Sequence, residues 1–159
     1  MVFEKTPNLI ICITKMKIAV ICSLTFSKEA GLIKNKLEEK GHHVSLPYSV
    51  ERVLQGEMTV EGIESMKKDG SFNSYVISND LIRWNWERMK KDEAVLVVNL
   101  EKKGIKGYIG GNTFLEIGLA YINNMKIFLW NDIPNIEYFK DELTAMSPII
   151  LNEKVDLIS

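Results

Sequence analysis

Glu116 is the only acidic or basic side chain between Lys106 and Lys126, and its neighbours Phe114, Leu115, Ile117, Leu119 and Ile122 are apolar. A lone carboxylate in such company is costly to bury unless something stabilises it. The start of a helix offers unpaired amides and the positive end of the macrodipole, which keep an acid ionised. An ionised, partly desolvated carboxylate beside a ligand crevice is what a covalent nucleophile requires. A plainer reading competes. Thr113 and Glu116 spell T-x-x-E, a capping box in which Glu116 bonds back to the Thr113 amide. On spacing alone the cap is the stronger reading. Gly107, Gly110 and Gly111 just upstream shift the balance, because glycine lets a backbone approach a sugar or phosphate closely, though it equally serves plain turns.

Other chemistry-bearing residues are scattered. Ser23, Thr25 and Ser27 fall between an apolar run and a charged stretch, where hydroxyls serve either as N-caps or as phosphate contacts. Asp80 follows Asn79 and suits either an N-cap or an acid. Tyr48 can stack on a ring or pack its own loop. Trp84 and Trp86 are two residues apart, so one helix face cannot bury both. One of them is expected to meet another subunit or line the crevice. His42 and His43 have no ligand partners at useful spacing, and Cys12 and Cys22 lie in apolar runs without a CxxC. No metal site is expected, and the thiols read as buried and reduced. Asp92 and Glu93 read as solvated.

The elements that must position these residues follow from periodicity. Residues 16–22 are a continuous β-favouring run, the pattern of a strand buried on both faces. Residues 28–40 form an amphipathic helix closed by Gly41. Residues 42–46 are a short strand and 47–57 a loop. A weak helix over 59–68 is broken at Gly70, a longer helix spans about 74–91, and a buried strand covers 93–99. A glycine-rich loop over 100–112 leads to a helix over 113–123 and a strand over 126–130. Pro134 opens a short helix to about Ala145, and 149–151 can add a last strand. Strands alternating with helices call for a parallel sheet wrapped on both faces. Ligands in such sheets bind beyond the carboxyl ends of the strands. That places residues 23–27, 99–112 (Asn99 to Asn112) and 131–134 around one crevice.

The stretch GGNTFLEIGLAY followed by MKIFLW resembles the signature of the nucleoside 2-deoxyribosyltransferase family. There a glycine–hydroxyl–x–x–Glu–x–Gly segment leads into a helix and then an apolar strand. Asn79-Asp80-Leu81 opening a helix, EAVLVVN as the next strand, and the first strand with its loop ICSLTFS extend the likeness over most of residues 16–134. The resemblance implies a flavodoxin-like, Rossmann-like doubly wound parallel sheet in one domain. It also implies a Glu116 nucleophile that attacks the anomeric carbon of a 2-deoxynucleoside, with Asp80 holding or protonating the departing base. Thr113 takes the small hydroxyl position before the glutamate. A related branch hydrolyses deoxynucleoside monophosphates, its phosphate held by hydroxyls of the first loop and of a neighbouring subunit. Ser23, Thr25 and Ser27 match that loop. The chain departs from the family at Gly110, where an aspartate is usual, and at Asn112, where a glycine is usual. Gly110, Gly111, Asn112 and Thr113 are expected at the substrate, with sugar and base contacts altered by the departures at Gly110 and Asn112. The chemistry implied is that of a retaining glycosidase, without a cofactor. A non-catalytic nucleotide-binding module of the same fold is the alternative.

Composition bounds the rest. A chain of 159 residues can bury one real core. Twenty basic against twenty-one acidic residues leave a formal charge of −1, which argues against nucleic acid as a partner. The apolar run at residues 8–13 is too short to span a bilayer, and the flanks of a signal peptide are not clear. A cytoplasmic protein without a membrane partner is the expectation, working as a homodimer or higher homo-oligomer on a small nucleoside or nucleotide. Residues 1–15 read either as a peripheral extension, with an extra strand possible, or as sequence preceding a true start at Met16. We take the extension as the expectation, with the domain over 16–159.

Overall fold

A computed structural model describes residues 15–158. The expectations for residues 1–14, including the extra strand and Cys12, lie outside the described residues. Among the described residues, five parallel strands form one sheet: β1 (Lys17–Cys22), β2 (His43–Ser45), β3 (Ala94–Val98), β4 (Lys126–Leu129) and β5 (Ile149–Ile150). Their order is β2-β1-β3-β4-β5, the flavodoxin-like arrangement of a doubly wound sheet. Chain direction across the sheet reverses between β1 and β3, whose ends are paired at Cys22 and Val98.

Strand periodicity divides the core in two. Ile18 and Val20 of β1 face one layer with Ala30, Ile33 and Leu37 of helix α1 (Ser27–Glu39). Ala19 and Ile21 face the other, with Met89 of α5 (Leu81–Met89) and Ile117 and Ala120 of α6 (Gly111–Ile122). All five residues of β3 are buried, which is why EAVLVVN shows no polar alternation. Gly41, at φ 90°, ends α1 as expected. His42 is buried, and its Nδ1 accepts the Met16 amide at 3.2 Å, a structural role, while His43 is exposed.

Three expectations for the connections need correction. Residues 47–57 are not a loop: α2 (Tyr48–Leu54) forms there, burying Ser49 and Val50. Leu54 packs at Gly31 of α1, so the apolar set Val50, Val53 and Leu54 follows helical spacing behind an opening Pro-Tyr-Ser that reads as loop. The single long helix over 74–91 is two, α4 (Ser71–Ser78) and α5, preceded by α3 (Val60–Asp69). The break falls at Asp80, in the left-handed region at φ 46°, while the Asn79 side chain bonds the Tyr75 carbonyl and closes α4. Pro134 does not open a helix either. Only α7 (Lys140–Ala145) is helical there; Phe139 before it lies outside the helical region, at φ −152° and ψ 11°, and stacks its ring on Phe114 at 4.4 Å. Among the described residues, no helix is long and apolar enough to cross a membrane.

Candidate active site

Over the paired ends of β1 and β3 lies a cavity of about 640 Å³, within the range of small-molecule sites. Cys22 and Ser23 form part of its floor, the turn from Gly110 to Thr113 one side, and α4 and α5 an apolar wall through Phe72, Val76, Ile77, Leu81 and Ile82. Among the described residues, Glu116 is the only carboxylate in the lining.

Glu116 does not cap its helix. α6 begins at Gly111 with Gly110 as the N-cap residue, two residues earlier than the spacing predicts. Thr113 is therefore inside the first turn and buried, and no capping box forms. Glu116 falls in the second turn, only 6% exposed, with the Asn112 side chain hydrogen-bonded to it from one turn before. This also overturns the expected source of its charge, since the dipole's influence fades beyond the first turn. Burial pushes the Glu116 carboxyl up to about 7, against the opposing pull of Arg88 and the Asn112 hydrogen bond. Near neutral pH the group divides between acid and carboxylate.

Arg88 supplies that opposing charge from α5. Its Nη1 donates to Ser45 Oγ at 2.9 Å and its Nη2 to the Val20 carbonyl at 3.1 Å, which pins the guanidinium under β1. Ser45 Oγ donates in turn to Asp92 Oδ2 at 2.7 Å. The buried Arg88 Nε has no hydrogen-bond partner among the described residues. Burial pulls the Arg88 pKa down and Glu116 holds it up, so the two charges are mutually dependent. The Cys22 thiol, also on the cavity floor, is pushed up to about 12 by burial and then by Glu116, and stays protonated.

Lys102 brings a cation to the lining itself. Lys102 Nζ donates to Thr25 Oγ1 at 2.6 Å and to Ser23 Oγ at 3.4 Å, and lies 5.6 Å from the centre of the Tyr108 ring. Glu64 of α3 accepts from it at 3.4 Å.

Of the residues singled out from sequence, Ser23, Gly110, Gly111, Asn112, Thr113 and Glu116 come together on the cavity lining. The others stand apart from it. Thr25 lies behind Lys102. Ser27 is buried and donates to the Leu24 carbonyl at 2.6 Å, at the start of α1. Tyr48 opens α2, its ring edge-on to Trp84 at 5.2 Å, with Arg52 donating to its hydroxyl. Asp80 is exposed and pairs with Arg83 at 2.9 Å. Asn99 is buried beyond β3, where Nδ2 reaches the carbonyls of Gly107, Asn131 and Asp132 and Oδ1 accepts the Asn131 amide at 2.8 Å. It knots two loops together rather than facing the cavity. Neither Trp84 nor Trp86 lines it; Trp86 packs into the core beside α6. Sequence reasoning missed Arg88 and Lys102, which sit in the ordinary-looking charged strings WERMKKDE and LEKKG.

No family model, curated protein or solved structure matches the chain.

Proposed function

We propose that this protein cleaves or transfers the N-glycosidic bond of 2-deoxynucleosides or deoxynucleoside 5′-monophosphates through Glu116, as the nucleoside 2-deoxyribosyltransferase resemblance implies. The observation that carries this reading is a single buried carboxylate on the wall of a nucleoside-sized cavity, at the point where strand order reverses. In the first step a Glu116 oxygen bonds to the anomeric carbon while the bond to the base nitrogen breaks. The electron pair leaves with the base, which takes a proton from water. In the second step water, or the nitrogen of an incoming base, attacks the same carbon, the ester bond breaks, the nucleophile's proton passes to solvent, and the carboxylate is restored. The partly ionised state of Glu116 supplies nucleophile at neutral pH, and the apolar wall from α4 and α5 suits a flat base. Asp80 has no part in this account, since it stands outside the lining. Ile77 and Ile82 are 78% and 51% exposed beside the cavity, and self-association that covers them belongs to the same reading.

The test is incubation with mixed deoxynucleosides and deoxynucleotides, with free bases read by chromatography. Release that Glu116→Gln abolishes while the circular dichroism spectrum is kept is the expected result; no turnover across the panel counts against it. One observation favours a second reading, a nucleotide-binding module without catalysis: among the described residues, the cavity lining holds no second carboxylate to serve the leaving base. Thermal stabilisation by nucleotides with no base released would select it.

A further inference from the structure

Lys67 and Lys102 come from different parts of the chain, one on α3 and one in the loop after β3, yet both line the cavity that holds Glu116. They share one oxygen. Glu64 Oε1 is 3.7 Å from Lys67 Nζ and 3.4 Å from Lys102 Nζ. Lys102 is the more enclosed, with 14% of its side chain exposed against 38% for Glu64. Two ammonium groups and one carboxylate leave an excess positive charge at this end of the cavity. The hydroxyls of Ser23 and Thr25 accept from Lys102, and their own protons remain to be donated.

We propose that Lys67 and Lys102 form the receptor for a phosphate monoester on the substrate, at a place held by the Glu64 carboxylate. Glu64 Oε1, from outside the lining, marks where the two lysines hold an anionic oxygen. A half-exposed carboxylate is a weak counter-ion for two lysines, because solvent screens the pair and long side chains lose freedom in forming it. A phosphate monoester carries a charge of about −1.5 to −2 and three acceptor oxygens, enough to engage both ammonium groups and the hydroxyl of Ser23. It therefore displaces the Glu64 side chain, which is already 38% exposed and can turn to solvent. Phosphate ends thus meet the lysines, and the base meets the apolar wall of α4 and α5. The inference deepens the glycosidase reading and rests on it for the rest of the substrate: it selects 5′-monophosphates over nucleosides.

The experiment compares kcat/KM for the four common 2′-deoxynucleosides and their 5′-monophosphates in the wild type, Lys102→Met and Glu64→Gln. The wild type should favour monophosphates by about 10²-fold, the scale of charge-assisted hydrogen bonds. Lys102→Met should cut that ratio by about tenfold or more, and Glu64→Gln should lower KM for monophosphates by removing the competing anion. Lys67→Met gives the same direction should Lys102→Met fail to fold, as judged by circular dichroism. A wild-type ratio near one, or a Lys102→Met variant that leaves the ratio unchanged, overturns the proposal. Calorimetry on Glu116→Gln separates it from the catalytic reading. If no base is ever released but that variant binds deoxynucleoside monophosphates, and adding Lys102→Met abolishes binding, the receptor stands and the glycosidase falls. Equal binding of nucleosides and monophosphates, or binding of neither, overturns the receptor.

Discussion

Arg88 on α5 and Glu116 on α6 are each other's leading electrostatic partner, and both are set back from water. A buried carboxylate alone would remain protonated well above neutrality, and a buried guanidinium alone would be expensive to keep. Together they hold Glu116 near the midpoint of its titration at neutral pH. The guanidinium is fixed by Ser45 and Val20 rather than by Glu116, so the carboxylate's hydrogen-bonding capacity is not consumed by it.

Glu116 should make stability fall with pH. Its folded pKa of about 7 lies above the ordinary 4.5, so the folded chain binds more protons than the unfolded one between those values. The stability this group permits is full below pH 4.5 and declines as pH rises through 7, by a total on the order of 3 kcal/mol. Glu116→Gln removes the penalty. Urea denaturation at pH 5 and pH 8 should show the variant gaining on the wild type as pH rises; parallel curves would refute this.

Removing Arg88 should move the Glu116 titration further up. Arg88→Met takes away the largest opposing charge, and a shift of about one unit or more is expected. A carbon-13 NMR titration of glutamate carboxyls, with the Glu116 signal assigned by its loss in Glu116→Gln, reads this without any activity assay. Where base release is measured, the acid side of the pH profile should shift to higher pH by the same amount. An unmoved carboxyl titration would show that Arg88 is structural only.

Asn99 should matter to folding more than to ligand. Asn99→Ala leaves the carbonyls of Gly107, Asn131 and Asp132 without their shared donor and the Asn131 amide without its acceptor. Loss of about 2–4 kcal/mol is expected from buried groups left unpaired. Gly107, at φ 65° with the Asp132 carbonyl 2.4 Å from where a Cβ would sit, leaves the two loops no room to adjust. A melting curve close to that of the wild type would contradict the role assigned to Asn99.

Much of the sheet was legible in the sequence because buried parallel strands are written as apolar runs, and β1, β3 and β4 all are. Gly41 and Gly70 marked helix ends because a positive φ favours that residue type. Local sequence was less informative where tertiary contacts decided the outcome. Nothing in Pro47-Tyr48-Ser49 announces α2, which is held by packing on α1. The break at Asp80 depends on a left-handed residue in a stretch that could continue as a helix. Within the site, Glu116 and the glycine turn stood out by composition, but its electrostatics did not. The dipole argument required Glu116 in the first turn, and the early start at Gly111 put it in the second. Topology brings Lys102 and Lys67 to the cavity and sets Arg88 under β1, and charged residues in strings carry no mark of which one turns inward.

Helix α4 contributes no fully buried residue, yet it supplies Phe72, Val76 and Ile77 to the cavity wall. The side chains that would choose among ligands are thus largely separate from those that keep the chain folded. Substitutions there are cheap in stability, so preference for one ring shape over another can drift or be engineered in α4 while Glu116 and its support remain untouched.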